Sequence, residues 1–330
     1  MIANNFSRLP YEACLIPNLP EEIQHRLRDM TNYVVRPLYM LLAVMAFVCN
    51  ALICITVART KSLQRRPSLL MLCSLSVTDL IYALFSLYMG VKTALSEHMC
   101  PASPDPKERA INTLCILATL GTLAVISRDR YLAVTKPWWY RNHVNTSRAI
   151  KMSCTPWLIS VVITLVYTVY FVYGFDRVYK YLAYAIPLVY YFICSFIIIF
   201  SHLGMYFKKP PAVGIREMQA VMKREKKSAA TIRLMLLVLL LTFLPALLWP
   251  IVLGLKGIEN IRPYRPFMFF LFIVDTVANP LLNFGRNKDM RRAIRGLLSC
   301  FQHVEQRQQL TTATTTAAVI TSTAATATAK

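Results

Sequence analysis

Apolar positions along the chain fall into seven long, nearly continuous runs, separated by short segments rich in Lys, Arg and Pro. The runs cover roughly residues 34–58, 68–92, 111–126, 150–173, 181–207, 228–255 and 264–284. A helix rises about 1.5 Å per residue, so roughly 20 residues cross the ~30 Å hydrocarbon layer of a bilayer. The pattern predicts seven membrane-crossing helices and an all-α membrane protein. Residues 286–298 carry a different pattern. Met290, Ile294, Leu297 and Leu298 recur at helical spacing among four Arg and Lys288, which predicts an amphipathic eighth helix lying flat on the membrane surface. Residues 301–330 read as a tail whose Thr, Ala and Ser cannot build a core. Residues 1–33 read as a polar leader with no apolar run of the kind a cleavable signal needs, so the first span is expected to act as its own insertion signal.

Composition supports the membrane reading. Of 330 residues 56% are hydrophobic, against about 45–50% in a soluble domain. The net charge of +21 would point to nucleic acid in a soluble protein, but here the charges sit between apolar runs and report topology. With the N-terminus outside, 25 of the 37 Lys and Arg lie on the inner side and 12 on the outer. Positive charge favours the cytoplasmic side, so the N-terminus is placed outside and the C-terminus inside, in a multi-pass protein of the plasma membrane with no nucleic-acid partner. In this topology Asn5-Phe6-Ser7 is an external glycosylation sequon, and Asn145-Thr146-Ser147 is a chance match on the inner side. Six of nine cysteines lie inside apolar runs. Cys300, beside the amphipathic segment, is a palmitoylation candidate. Cys14 and Cys100 are the two external cysteines and are expected to pair in that oxidising compartment, both free being the alternative.

The polar residues inside the runs carry the chemistry. Ser127-Arg128-Asp129-Arg130-Tyr131 ends the third run. Charge at a bilayer centre costs about 2.5–3.5 kcal/mol on insertion scales, so the cluster belongs at a water boundary or in a polar cavity. Stepping back from Arg130 at helical spacing gives Ile126, Leu123, Thr119, Ile116 and Asn112 on one stripe, as in a helix through the middle of a bundle. Taken alone, Arg128 and Arg130 read equally as interfacial anchors. Asp79 is too deep for its short side chain to reach a membrane surface, and an intramembrane carboxylate is a functional-site candidate; Asn50, Asp275 and Asn279 also fall inside the runs. Asp275 and Asn279, four apart, share a helix face.

In chain order, Asn50, Asp79, Asp129-Arg130-Tyr131, Trp157, Pro187, Glu225, Pro245 and Asn279-Pro280 place a marker on each span. Over about residues 34–300 this resembles the class A, or rhodopsin-like, G-protein-coupled receptors. The resemblance implies a ligand-triggered outward swing of the sixth helix that activates a heterotrimeric G protein, with arrestin and a receptor kinase as further partners. It implies that Arg130 bridges Asp129 and Glu225 in the resting state, with Tyr131, Asn279, Pro280 and Asn283 in the switch. It implies an Na+ ion at Asp79, near Thr119, Asp275 and Asn279. The second acid at Asp275 is unusual for the family and predicts either stronger sodium binding or a proton shared between the two carboxyls. The ligand pocket implied is Tyr88, Met89, Asn112, Ile116, Tyr179, Lys180, Phe243, Leu247, Pro250 and Phe269, each of which also reads as ordinary packing.

Four departures stand out. Asn283 replaces the seventh-helix Tyr, Ser195 the fifth-helix Tyr that faces it, and Phe243 a ligand-sensing Trp. The segment 174–180, read as a short external loop, has no Cys for the usual bond to the third helix. Asn112 stands where amine-binding members carry Asp, which disfavours a simple amine, and the seventh span has no Lys for retinal. The apolar pocket favours a lipid or hydrophobic peptide, with Lys180 and Lys92 either receiving an acidic head group or snorkelling. Two other readings compete. A channel or transporter would use Asp79 and Asp275, though no internal repeat is visible. A receptor-like scaffold would have lost signalling. No catalytic constellation is present, so an enzyme is not expected.

Overall fold

The computed structural model describes residues 20–95, 105–173, 177–207, 265–286, 288–297 and 299. The sixth span lies outside the described residues, and with it Glu225, Phe243, Leu247 and Pro250. So do Asn5, Cys14, Cys100 and Cys300, and the side chains of Tyr179, Lys180 and Asn283.

The described chain is helical, with no strand among the described residues. In order the helices are α1 (Glu21–Met30), α2 (Arg36–Arg59), α3 (Lys61–Gln64), α4 (Pro67–Leu95), α5 (Pro106–Thr135), α6 (Pro137–His143), α7 (Thr146–Tyr173), α8 (Arg177–Phe207) and α9 (Arg265–Arg286). Five helices are long and apolar enough to cross a membrane: His25–Arg59, Pro67–Leu95, Pro106–Thr135, Thr146–Tyr170 and Ala185–Phe207. A shorter apolar helix occupies Phe267–Leu282 in the seventh run. Residues 288–297 form a separate helix, α10, with Lys288, Arg292 and Arg295 exposed and Met290 buried.

Two boundaries differ from the reading of the sequence. The first helix begins at Glu21, inside the segment read as a leader. Glu21 and Glu22 favour a helix N-terminus, and Arg26 Nη2 donates to Glu22 Oε1 at 2.7 Å one turn on. The helix then runs on past Pro37. Proline cannot donate to the carbonyl four residues back and crowds it, so the chain widens into a π-helical turn, Thr31–Val35, in which the Arg36 amide reaches Thr31 O. The second difference is at Arg177–Lys180, expected as loop and found as the first turn of α8. No proline interrupts that stretch before Pro187, so the helix that starts there continues into the span.

α5 is more buried than any other described span and packs against α4, α7 and α8, while α9 packs against α2 and α4. Gly121 makes the close approach possible. A Cβ there would fall 2.9 Å from Pro156 Cβ on α7 and collide with the Tyr190 hydroxyl on α8. Trp157 Nε1 on α7 donates to Ser74 Oγ on α4 at 3.1 Å, tying those two spans together. The outer faces of α7 and α8 stay apolar and exposed, with Leu158 67% and Phe196 68% accessible, as suits surfaces solvated by lipid.

Candidate functional site

Three polar clusters lie along α5: one at mid-helix and one at each end. The middle one is built from Asn50 (α2), Asp79 (α4), and Asp275 and Asn279 (α9), all buried; Thr119, on α5, is buried too. Asn50 Nδ2 donates to Ala46 O at 3.0 Å and to Thr276 O at 3.2 Å, fastening α2 to α9. Asn279 Nδ2 donates to Asp79 Oδ2 at 3.1 Å, joining α9 to α4. Its amide also neighbours the Asp275 carboxyl, and the two carboxyls lie close enough to act on one another. Asp275 Oδ1 is buried with no hydrogen-bond partner. A buried carboxylate oxygen left without a donor is costly, so a cation or a proton would relieve the cluster. Two carboxyl groups and an amide offer hard oxygens here, which fit a hard cation such as Na+.

The Arg130 end is built from neighbours in sequence. Arg130 Nη2 donates to Asp129 Oδ2 at 2.7 Å, with both side chains almost fully buried. The other Asp129 oxygen accepts from the Tyr140 hydroxyl at 2.9 Å. Tyr140 sits on α6, which Pro137 starts directly after α5, so the chain folds back and returns a hydroxyl to the carboxylate it has just passed. The sequence reading missed Tyr140, because eleven residues and a helix break separate it from Asp129. Tyr131 faces α8, with its ring 5.9 Å from that of Phe200 and its edge over Gly204. Pro280 is buried within α9.

The opposite end of α5 holds ions from two helices. Lys92 on α4 pairs with Glu108 and, at 3.4 Å, with Asp105. Glu108 is buried and also accepts the Asp105 amide at 3.2 Å, closing a capping box on the first turn of α5. The Lys92 side chain itself stays exposed, so the pairing anchors an accessible ammonium at this end of α5.

The expected pocket residues separate by helix phase. Met89, Ile116 and Phe269 are half-buried and pack on the core, and Asn112 has a buried Oδ1 with no hydrogen-bond partner. Tyr88 does not join them. It is 55% exposed on one stripe with Leu84 and Val91, because the step from Met89 turns it about 100° to the outer face of α4. Tyr82, one turn from Asp79, was not singled out by the sequence; it is 3% exposed and stands edge-on to Phe272 between the pocket residues and the acid pair.

Comparison with known proteins assigns the chain. The family model for the 7 transmembrane receptor (rhodopsin family) matches residues 49–283. Similar relatives include the D(1B) dopamine receptor of Xenopus laevis, 28% identical over 47% of this chain and 34% of that protein. The 5-hydroxytryptamine receptor 7 of Xenopus laevis is 32% identical over 42% and 32%. Cannabinoid receptor 1 of Xenopus laevis is 26% identical over 40% and 28%. The matched segments therefore span about a third of the length of these relatives. The match runs from the first span to the end of the seventh, so the chain belongs to the rhodopsin family of seven-transmembrane receptors, multi-pass proteins of the plasma membrane and receptors rather than enzymes.

Proposed function

We propose that the protein is a receptor that binds an extracellular ligand and activates a heterotrimeric G protein through its Arg130 end. The observation that carries this reading is the buried Asp129–Arg130 pair, completed by Tyr140, in a chain of this family. The bond between this guanidinium and its carboxylate can break if new contacts replace it. In the resting state Arg130 bridges Asp129 and Glu225. Ligand contact near Phe243 tilts the sixth helix and so displaces Glu225, 18 residues earlier in the sequence. Release of Arg130 then opens the cavity that takes the G protein, with arrestin and a receptor kinase as later partners. Glu225→Ala is expected to raise basal nucleotide exchange, and Arg130→Ala to abolish coupling while leaving the receptor at the cell surface. Normal coupling by a well-expressed Arg130→Ala would refute the reading.

Asp79, Asp275, Asn279 and Thr119 would hold a sodium ion, which supplies positive charge to a buried acid pair and joins α4 to α9. The unpartnered Asp275 oxygen supports that assignment.

For the ligand, the names of the dopamine and serotonin relatives suggest an amine. Asn112 weighs against it, since a neutral amide offers a cation no counter-charge. Met89, Ile116 and Phe269, which pack on the core, would give an apolar lining suited to a lipid or hydrophobic peptide, with Asn112 Oδ1 accepting from a donor on its polar group. Displacement of a fluorescent lipid probe from wild type, lost in Asn112→Leu, is the expected result; saturable dopamine binding by the wild type would argue for the amine.

A further inference from the structure

α2 and α4 form a helical hairpin, and its turn is firmly built. α3 occupies the turn, Leu63 is buried there, and Gln64 Nε2 donates to Ala58 O at 2.6 Å. The Leu63 amide donates to Thr60 O at 2.9 Å, and the Arg66 amide to Leu63 O at 3.0 Å. Beyond the turn the two long helices pack against each other more extensively than any other two described helices.

Two cysteines meet across that packing. Cys54 lies five residues before the end of α2 at Arg59, and Cys73 six residues after the start of α4 at Pro67. At about 1.5 Å per residue they stand about 7–9 Å from the turn, so the hairpin brings them to one level. Helical phase keeps Cys73 clear of α7. Ser74 accepts from Trp157 on that helix, and Cys73 is turned about 100° from Ser74 round α4. The Cys54 and Cys73 thiols share a hydrogen bond across the seam between α2 and α4. Both are free thiols and half-buried, at the edge of the interface rather than in the core. Cys49 is half-buried as well, but it stands about 140° round α2 from Cys54. Cys154 is exposed on α7.

The pair lies beside the polar cluster at mid-bundle. Asn50, one turn from Cys54 on α2, donates to Thr276 O on α9, and Asp79 on α4 accepts from Asn279 on α9. Those bonds tie α2 and α4 each to α9. A bond between Cys54 and Cys73 would tie α2 to α4 directly.

We propose that Cys54 and Cys73 form a reversible redox site, at which hydrogen peroxide converts the facing thiols to a disulfide that staples α2 to α4. Peroxide is small and uncharged, so it reaches a half-buried seam within a bilayer. One sulfur, as thiolate, attacks a peroxide oxygen. An S–O bond forms, the O–O bond breaks, and hydroxide leaves and takes up the thiol proton as water. The second sulfur, as thiolate, attacks the sulfenic sulfur. The S–S bond forms, the S–O bond breaks, and a second water carries away the second proton. Two thiols and one peroxide give one disulfide and two waters, with the sulfurs oxidised and the peroxide reduced. The bond closes a loop of 20 residues, 54–73, that the native hairpin already holds, so it constrains chiefly the unfolded chain.

The test uses the purified full-length protein in phosphatidylcholine nanodiscs. It is treated with hydrogen peroxide, blocked with N-ethylmaleimide, digested with trypsin and mapped without reduction. A linked peptide joining Cys54 to Cys73 is expected in most of the protein and should disappear on addition of dithiothreitol. It should persist in Cys49→Ser and be absent from Cys54→Ser and Cys73→Ser. No link in a sample whose Cys154 is oxidised would overturn the site, and so would Cys49 joining Cys73 as readily as Cys54 does. Mixing isotopically light and heavy protein separates a bond within one chain from a bond between copies, and links only between copies would overturn the proposal. Oxidation should also raise the melting temperature of wild type and leave that of Cys73→Ser unchanged. A linked wild type with an unmoved melting curve would overturn the staple. The mapping is made first on the unaltered protein, so a folding defect in a variant does not decide it. None of these readouts needs G-protein coupling, so loss of the receptor reading would leave them standing.

Discussion

The two ends of α5 are both charged and are built in opposite ways. At the Lys92 end the ion pair joins two helices, and the buried partner, Glu108, is also fixed by a capping box. At the Arg130 end the pair joins adjacent residues of one helix, and the hydroxyl that completes it comes from α6, the next element of the chain. The first arrangement holds helices to each other. The second satisfies the buried Asp129 carboxylate from residues close in the chain. On the proposed function, that asymmetry would give a braced end for the ligand and a labile end for the G protein.

The comparison can be broken first through the packing that both ends share. Gly121→Val puts side-chain atoms against Pro156 and Tyr190, and overpacking of this kind costs about 1–3 kcal/mol. It should lower the melting temperature of detergent-solubilised protein, and lose ligand binding and coupling together. An unchanged melting curve would mean that α5, α7 and α8 are not so closely packed.

Next, the braced end. Lys92→Ala strands the buried Glu108 carboxylate and should lower thermal stability, whereas the charge swap Lys92→Glu with Glu108→Lys should recover part of it. Basal exchange should change little in either. A large rise in basal exchange from Lys92→Ala would place the switch at the wrong end.

The middle cluster sharpens the contrast, because it links α4 and α9 without belonging to either end. Replacing NaCl by a bulky-cation salt should shift agonist affinity in the wild type and shift it less in Asp275→Asn, which removes one carboxylate. Equal shifts in both would take Asp275 out of the ion site.

The smallest effect is expected from Tyr140→Phe. It removes one hydrogen bond to a carboxylate at a half-buried position, where about 1 kcal/mol is at stake. That is roughly a fivefold change in population, visible as raised basal exchange. Unchanged basal activity would make Tyr140 a packing residue.

Much of the frame was legible because apolar runs of membrane length admit few alternatives; the six described spans fall on six of the seven runs. What escaped depended on phase or on distance in the chain. Met89 and Tyr88 are neighbours in sequence, yet one packs inward and the other faces out, and a run apolar all round does not announce its phase. The pairing of Lys92 with Glu108, sixteen positions later, is visible only once the two helices are set side by side. The first helix extends to Glu21 because a polar amphipathic turn can precede a span without a break, and Pro37 is absorbed by a widened turn. The polar face of α9 was legible, since Asp275 and Asn279 lie four residues apart. The donor joining it to α4 could be identified only once the helices were set side by side.

The central claim is that the Asp129–Arg130 pair is the labile one. It is tested most directly by basal GTPγS exchange on a panel of heterotrimeric G proteins, with wild type, Asp129→Asn and Arg130→Ala compared at matched surface expression. Asp129→Asn loosens Arg130 without removing it and should raise exchange several-fold, while Arg130→Ala should bring it to the level of membranes without receptor. Equal exchange in all three, on a G protein that the wild type activates, would contradict the account.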